Sequence, residues 1–163
     1  MKNVWIRQAR DEDKAAIEAL NAAAFGTPDE AQIVARLAQD GDSLASLIAH
    51  NDREVLGHIQ FFKIAVAGED VAAGLGPMSV QPDLQKRGIG SGLVRFGLTL
   101  MEGQSRSLVF VLGHPDYYPK FGFSAEAATH FSAPWSGPAF MALRTSDDAP
   151  QSGALTYPAA FGA

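Results

Sequence analysis

Residues 71–113 constrain the fold more than any other part of the chain. They run VAAGLGPMSV (71–80), then QPDLQKRG (81–88), then an apolar stretch over 88–101, then SLVFVLG (107–113). That is strand, glycine-rich turn, helix, strand. Ile89, Leu93, Gly97 and Leu100 share one side of the helix, with Val94, Leu98 and Met101 beside it. An apolar surface so wide predicts a mostly buried helix. The run 107–113 has the continuous apolar character of a strand covered on both faces. Such a unit is normally a right-handed crossover between parallel strands.

The remaining segments surround that unit. VWIRQA (4–9) predicts a first strand, and DEDKAAIEALNAAAF (11–25) a helix with acidic residues at its start. TPDE (27–30) reads as a capping box, with Thr27 as N-cap, Pro28 at N1 and Glu30 at N3, opening a helix whose apolar face is Ile33, Val34 and Leu37. Residues 44–50 and 53–64 read as a hairpin turning near Asn51-Asp52, and Gly68-Glu69-Asp70 as a further turn. Gly74, Gly76 and Pro77 are poor strand residues and predict a bulge or bend where something approaches the backbone closely. A last strand is expected over 139–145. The stretch 146–154 reads as a loop, and LTYPAAF (155–161) as a tail docking by its aromatics. The expected organisation is one domain over 1–145 and a tail over 146–163.

Composition narrows the function classes. The chain has 163 residues, enough for one domain with a real core. No stretch reaches the roughly 18 continuous apolar residues of a membrane span. The start, MKNVWIRQARDEDK, turns charged at once and lacks an apolar signal core. There are no cysteines, which excludes disulfides and thiolate metal sites. A cytoplasmic address is the expectation. The net charge of −5 argues against non-specific nucleic-acid binding. Any anion site must therefore be local.

LQKRGIGSGLV (84–94) is that locality. The first amides of a helix lack intrahelical acceptors and carry partial positive charge, and glycine lets a ligand approach the backbone closely. Lys86 and Arg87 add formal charge and Gln85 adds donors, so the turn suits a phosphate or pyrophosphate. Tight helix–strand packing is the other reading of Gly88 and Gly90. A P-loop would need GxxxxGK followed by Ser or Thr, which is absent. A dinucleotide fingerprint would need GxGxxG near the first strand, with an acidic residue about 20 positions on; here the spacing is GxGxG after a middle strand.

GPMSVQPDLQKRGIGSGLV resembles motif A of the GCN5-related N-acetyltransferases (GNAT), with Gln85, Gly88 and Gly90 in the Gln/Arg-x-x-Gly-x-Gly/Ala pattern. YYPKFGF (117–123) resembles the family's motif B, a tyrosine followed four residues later by Gly-Phe. The order of elements over 3–145 matches as well. LGPMSV–QP, VLGHPDYYPKFGF and YPAAF are similar to a bacterial subgroup, the YhbS-like proteins. The resemblance implies an α/β domain with a mixed, mostly antiparallel sheet of six to seven strands flanked by helices, and a parallel pair splayed at the cofactor.

It also implies acetyl-CoA as co-substrate. The diphosphate would lie on Gln85, Lys86, Arg87, Gly88, Ile89, Gly90 and Ser91, and the pantetheine arm along Met78, Ser79 and Val80. Tyr118 matches the general-acid tyrosine, with Tyr117 the alternative. Many family members carry a glutamate on the strand before the turn, but 71–80 has no carboxylate. His58, Glu30 and Asp116 are candidate ends of a water chain, each with an ordinary structural explanation: core histidine, capping box and turn. His114, beside Pro115, reads either as a residue near the acetyl end or as a loop residue, and His50 and His130 have no company that suggests metal. The implied reaction is direct acetyl transfer to a primary amine of a small molecule or peptide, with no metal, nucleic acid or membrane. The contacts expected for the acceptor are 22–32 and 126–138. A homodimer is open, and a non-catalytic acyl-CoA sensor is the alternative.

Overall fold

The computed structural model describes residues 3–162. In chain order the elements are β1 (Trp5–Gln8), α1 (Lys14–Phe25), α2 (Asp29–Gln39), β2 (Ser43–His50), β3 (Val55–Val66), β4 (Glu69–Val80), α3 (Ile89–Gly103), β5 (Leu108–Leu112), α4 (Ala125–Ala128), β6 (Phe131–Ser132), β7 (Phe140–Arg144) and β8 (Gly153–Thr156). Short 3-10 turns precede α1 and α3 and cover Tyr118–Phe121 and Ala159–Phe161. The mostly antiparallel sheet has eight strands in the order β1-β2-β3-β4-β5-β7, with β8 paired to β3 and β6. The predicted crossover is present: β4 and β5 pair in parallel from Ala72 with Leu108 to Leu75 with Val111. By their contacts the residues form two compact units, one up to Phe61 with Pro77–Leu98, the other Phe62–Gly76 with the chain from Thr99 on.

In the first unit α3 and β3 interlock. A Cβ on Gly57 would lie 3.1 Å from both Ile89 and Leu93, and a Cβ on Gly97 would lie 2.0 Å from the Phe61 ring. Each element thus lacks a side chain where the other inserts one. His58, between Gly57 and Ile59 on β3, is fully buried. Its Nε2 lies 2.8 Å from Ser46 Oγ and its Nδ1 3.4 Å from Asn21 Nδ2 on α1. Because an amide nitrogen can only donate, Nδ1 accepts and Nε2 carries the proton. Near the start of the unit Asp13, itself buried, takes two bonds from the Arg7 guanidinium and one from the Arg10 amide.

In the second unit β8 adds to the end of β3, Val66 opposite Leu155 and Ala65 opposite Thr156. Tyr157 and Phe161 then pack on Phe62, at 5.8 and 4.5 Å between centroids. The tail thus docks by aromatics as read, and contributes a strand that its composition concealed.

Two local readings change, and the close approach expected near Gly74 is identified. Helix α2 begins at Asp29 with Pro28 at its N-cap, not Thr27. Thr27 Oγ1 accepts from the Asp29 amide and donates to the Glu30 carboxylate, so the two side chains bond each other instead of the reciprocal backbone amides. The turn after β3 is Ala67-Gly68, both at positive φ, and Glu69 and Asp70 already belong to β4. At Gly74 the reason for glycine is the Phe62 ring, 2.1 Å from where a Cβ would stand, whereas at Gly76 it is a φ of +140°.

Burial holds the His58 pKa down to about 4, from 6.5. Between those values the unfolded chain binds a proton that the folded one refuses, so stability is complete above about 6.5 and falls as pH drops toward 4. At about 1.4 kcal/mol per pH unit the loss is roughly 3 kcal/mol. Asp13 and Asp70, whose carboxyls are held low by arginine partners, add their loss only below the usual carboxylate range. Urea melts at pH 7 and 4.5 should show this slope in the native protein and a much flatter one in His58→Gln.

Candidate functional site

The end of β4 and the turn into α3 hold most of the predicted site residues. The Gln81 amide donates to Leu56 O at 2.9 Å, which ties the end of β4 to β3. The β4–β5 register stops at Leu75, while β4 runs on to Val80. Met78 is half-buried, and Ser79 and Val80 are buried. Ser79 Oγ finds no partner among the described residues, so its hydroxyl faces the interior. Any contact Ser79 makes with a ligand is therefore through its backbone.

After a 3-10 turn at Pro82–Leu84, Gln85 folds back so that Nε2 donates to Val80 O at 3.3 Å. This explains the glutamine without giving it to a ligand: it closes the loop onto the strand. Lys86 then takes φ +66° and Gly88 φ +88°. Left-handed backbone costs a non-glycine residue roughly 1 kcal/mol, and here it turns the chain so that α3 can start at once. The bond from Gly92 N to Gly88 O, 3.0 Å, opens the helix. The amides of Gly88, Ile89 and Gly90 are therefore left without acceptors inside the helix. Lys86, Arg87 and Gly88 are exposed and Ile89 is buried against Gly57. Neither cation forms an ion pair with another described residue. The result is an open, amide-lined, cationic turn on an otherwise acidic chain, which fits the diphosphate of a coenzyme.

The second motif lies in the other compact unit. Tyr118 opens a 3-10 turn through Phe121, which closes at Gly122 with φ +101°. The conformation explains the glycine of the Tyr-x-x-x-Gly-Phe pattern, because only glycine adopts it freely. Phe123 packs edge-on to Tyr118 at 5.8 Å, and Tyr117 edge-on at 5.0 Å. Tyr118 is 7% exposed while Tyr117 is half-buried, with Lys120 Nζ 4.1 Å above its ring. None of the described residues hydrogen-bonds the Tyr118 hydroxyl. Burial, and secondarily Tyr117, push the Tyr118 pKa up to about 12. Of the adjacent tyrosines, Tyr118 is therefore the more buried.

The other candidates resolve into structure. His58 is a buried neutral ring with both nitrogens engaged and a pKa of about 4, so it cannot collect a proton from an amine. Glu30 is half-buried and bonded to Thr27. Asp116 and His114 are exposed, and the His114 carbonyl accepts from the amides of Tyr117 and Tyr118. His50 stacks near Trp5. No group of three or more potential metal ligands occurs among the described residues. None of their helices is long and apolar enough to cross a membrane. A cavity of about 500 Å³ beside Glu69, Glu102 and Asp148 includes none of the predicted site residues. Composition had not marked Gly113, whose part emerges only from the Tyr118 ring packed on it.

Tyr118 and Tyr157, which burial also raises to about 12, should both resist alkali. In an absorbance titration they should ionise well above the ordinary phenol value of about 10, and Tyr118→Phe should remove one of these late transitions.

Comparison with known proteins converges on one family. Residues 5–125 match the acetyltransferase (GNAT) domain model. The chain is 33% identical over 141 residues to the uncharacterised N-acetyltransferase YhbS of Escherichia coli, covering 84% of each chain. It is 35% identical over 116 residues to YjhQ of the same organism, a match spanning 68% of this chain and 64% of that one. Among solved structures, YhbS in complex with CoA superposes with a TM-score of 0.91 at 30% identity, covering 99% of this chain and 93% of that one. A GNAT family acetyltransferase from Brucella melitensis in complex with acetyl-CoA gives a TM-score of 0.84 at 34% identity, covering 99% of both.

Proposed function

The chain belongs to the GNAT acetyltransferase family, and from that premise we propose that it moves the acetyl group of acetyl-CoA directly to a primary amine of a small molecule or peptide. The observation that carries this is the turn at 86–90, where two exposed cations that pair with no other described residue stand beside the amides that start the helix. It is supported by the coenzyme complexes of two relatives with at least 30% identity.

In this reading the diphosphate is held by the amides of Gly88–Gly90 with Lys86 and Arg87 alongside, and the pantetheine amides pair with the backbone of Met78–Val80. Acetyl-CoA supplies an activated thioester. The neutral amine nitrogen attacks the thioester carbon and forms the C–N bond as the C–S bond breaks. Sulfur leaves with its electron pair and takes the Tyr118 phenolic proton; the amine gives its extra proton to water, and solvent restores the phenol. Tyr118 is the better choice over Tyr117 because it stands four residues before Gly122, at the motif position, and its ring is the more buried, seated against Tyr117 and Phe123. With no carboxylate over 71–80 and His58 locked neutral, the rate should follow the acceptor's own ionisation. It should rise with pH and show no descending limb until pH nears the phenol's value of about 12.

Calorimetry with CoA tests the turn. K86A/R87A should weaken binding by about tenfold or more, since each charge-assisted contact is worth about 1.5–3 kcal/mol. No heat from native protein would remove the proposal. Tyr118→Phe should lower kcat by about 100-fold, the usual size of a general-acid contribution, and unchanged turnover would remove Tyr118 as the acid. Binding of acetyl-CoA with no acetylated product from any of a panel of amines would favour a non-catalytic sensor instead.

A further inference from the structure

Gly113 follows the last residue of β5, and its amide donates to Ala139 O at 2.9 Å. Its φ is not among the positive values of the chain, so its backbone is one that any residue could adopt. The reason for glycine there is steric. A Cβ at this position would stand 2.4 Å from Cε2 and 3.0 Å from Cδ2 of the Tyr118 ring, closer than packed carbon atoms come. The contact is with the Cε2–Cδ2 edge of a ring that is held by its neighbours. Phe123 meets it edge-on at 5.8 Å and Tyr117 edge-on at 5.0 Å, with Phe121 tilted at 6.4 Å. Tyr118 also begins the turn that Pro119 stiffens and Gly122 closes. The ring therefore has no free direction in which to yield without disturbing aromatic neighbours.

We infer that Gly113 is a positioning residue for acetyl transfer: the bare backbone at the end of β5 is the floor on which the Tyr118 ring lies, and it sets where the phenolic oxygen stands. This rests on the reading of Tyr118 as the acid. An alanine at 113 displaces the ring and with it the hydroxyl, while leaving the β5 backbone and the turn at 86–90 untouched. Proton delivery tolerates little displacement, because the donor must come within hydrogen-bond reach of the leaving atom. The effect thus falls on turnover and not on coenzyme affinity.

The test is Gly113→Ala, alone and combined with Tyr118→Phe. Expected for G113A is a loss of kcat of about tenfold or more with KM for acetyl-CoA within about twofold, and no further loss in G113A/Y118F beyond Y118F alone, since two changes acting through one group are not additive. Full additivity, or wild-type kcat in G113A, overturns the inference. A second readout does not depend on turnover. In a Tyr157→Phe background, G113A should bring the late phenol transition down toward the ordinary value of about 10, because the displaced ring gains water; an unchanged transition shows that the ring is not seated by Gly113. If Y118F turns over like the wild type, the acid reading falls and the positioning role with it, whereas the titration still decides the seating. Should G113A melt too low to assay, Y118A is compared with G113A/Y118A: the alanine must cost nothing once the ring is gone, and an equal cost in both backgrounds overturns the inference.

Discussion

The amides at the start of α3 can face outward as a fixed group only if the helix cannot roll on the sheet, and the exchange of side chains between α3 and β3 prevents it. Ile89 and Leu93 enter the space left at Gly57, and Phe61 enters the space left at Gly97. The two insertions run in opposite senses, so a rotation that relieves one compresses the other. Burying such side chains stabilises by roughly 1.5–3 kcal/mol each, a sum comparable to the net stability of a small domain. One of the inserted residues, Ile89, is also the first residue of the helix. The packing therefore fixes the turn at its rim, and Lys86 can be held in a left-handed conformation that it would not choose alone.

Charge follows the same logic of local order within a contrary background. A net −5 chain repels phosphates at long range, yet screening confines that repulsion to about 8–10 Å at ordinary ionic strength. At the turn the near field is set by Lys86, Arg87 and the helix start. No carboxylate among the described residues pairs with them, whereas Arg7 pairs with Asp13, Arg36 with Asp40 and Arg106 with Asp70. The proposed anion site rests on two adjacent exposed cations beside the amides that start α3.

Most of the fold was legible in the sequence because its elements announce themselves by period. The crossover 71–113, the first two helices and the β2–β3 pair all appear where hydrophobic spacing placed them. The strands β6 and β8 did not, since two and four residues are too few to show a period and they are made by pairing with distant chain. The α2 start moved because the Thr27 hydroxyl satisfies a nearer amide and the Glu30 carboxylate at once. In the turn, Gly88 was readable because its left-handed backbone needs glycine, whereas the bond by which Gln85 closes the loop onto Val80 O has no sequence signal. Ser79 was read correctly as part of the strand, but its sequence says nothing of which way its hydroxyl points, and it points inward.

Glycine shows why the rest stayed hidden. A glycine that serves a left-handed turn sits among residues that betray the turn, as Gly88 and Gly122 do. A glycine that yields space to a ring has its reason elsewhere in the chain: Phe62 for Gly74, Phe61 for Gly97, Tyr118 for Gly113. In the first two pairs the ring that takes the space is purely a core residue, and replacing either partner would be felt as stability. At Gly113 the ring carries a hydroxyl at its far end, so the same steric fact acquires a chemical consequence. A contact of one missing methyl group at the end of β5 sets the height of the ring, and the ring transmits that height, undiminished by any rotatable bond, to the oxygen.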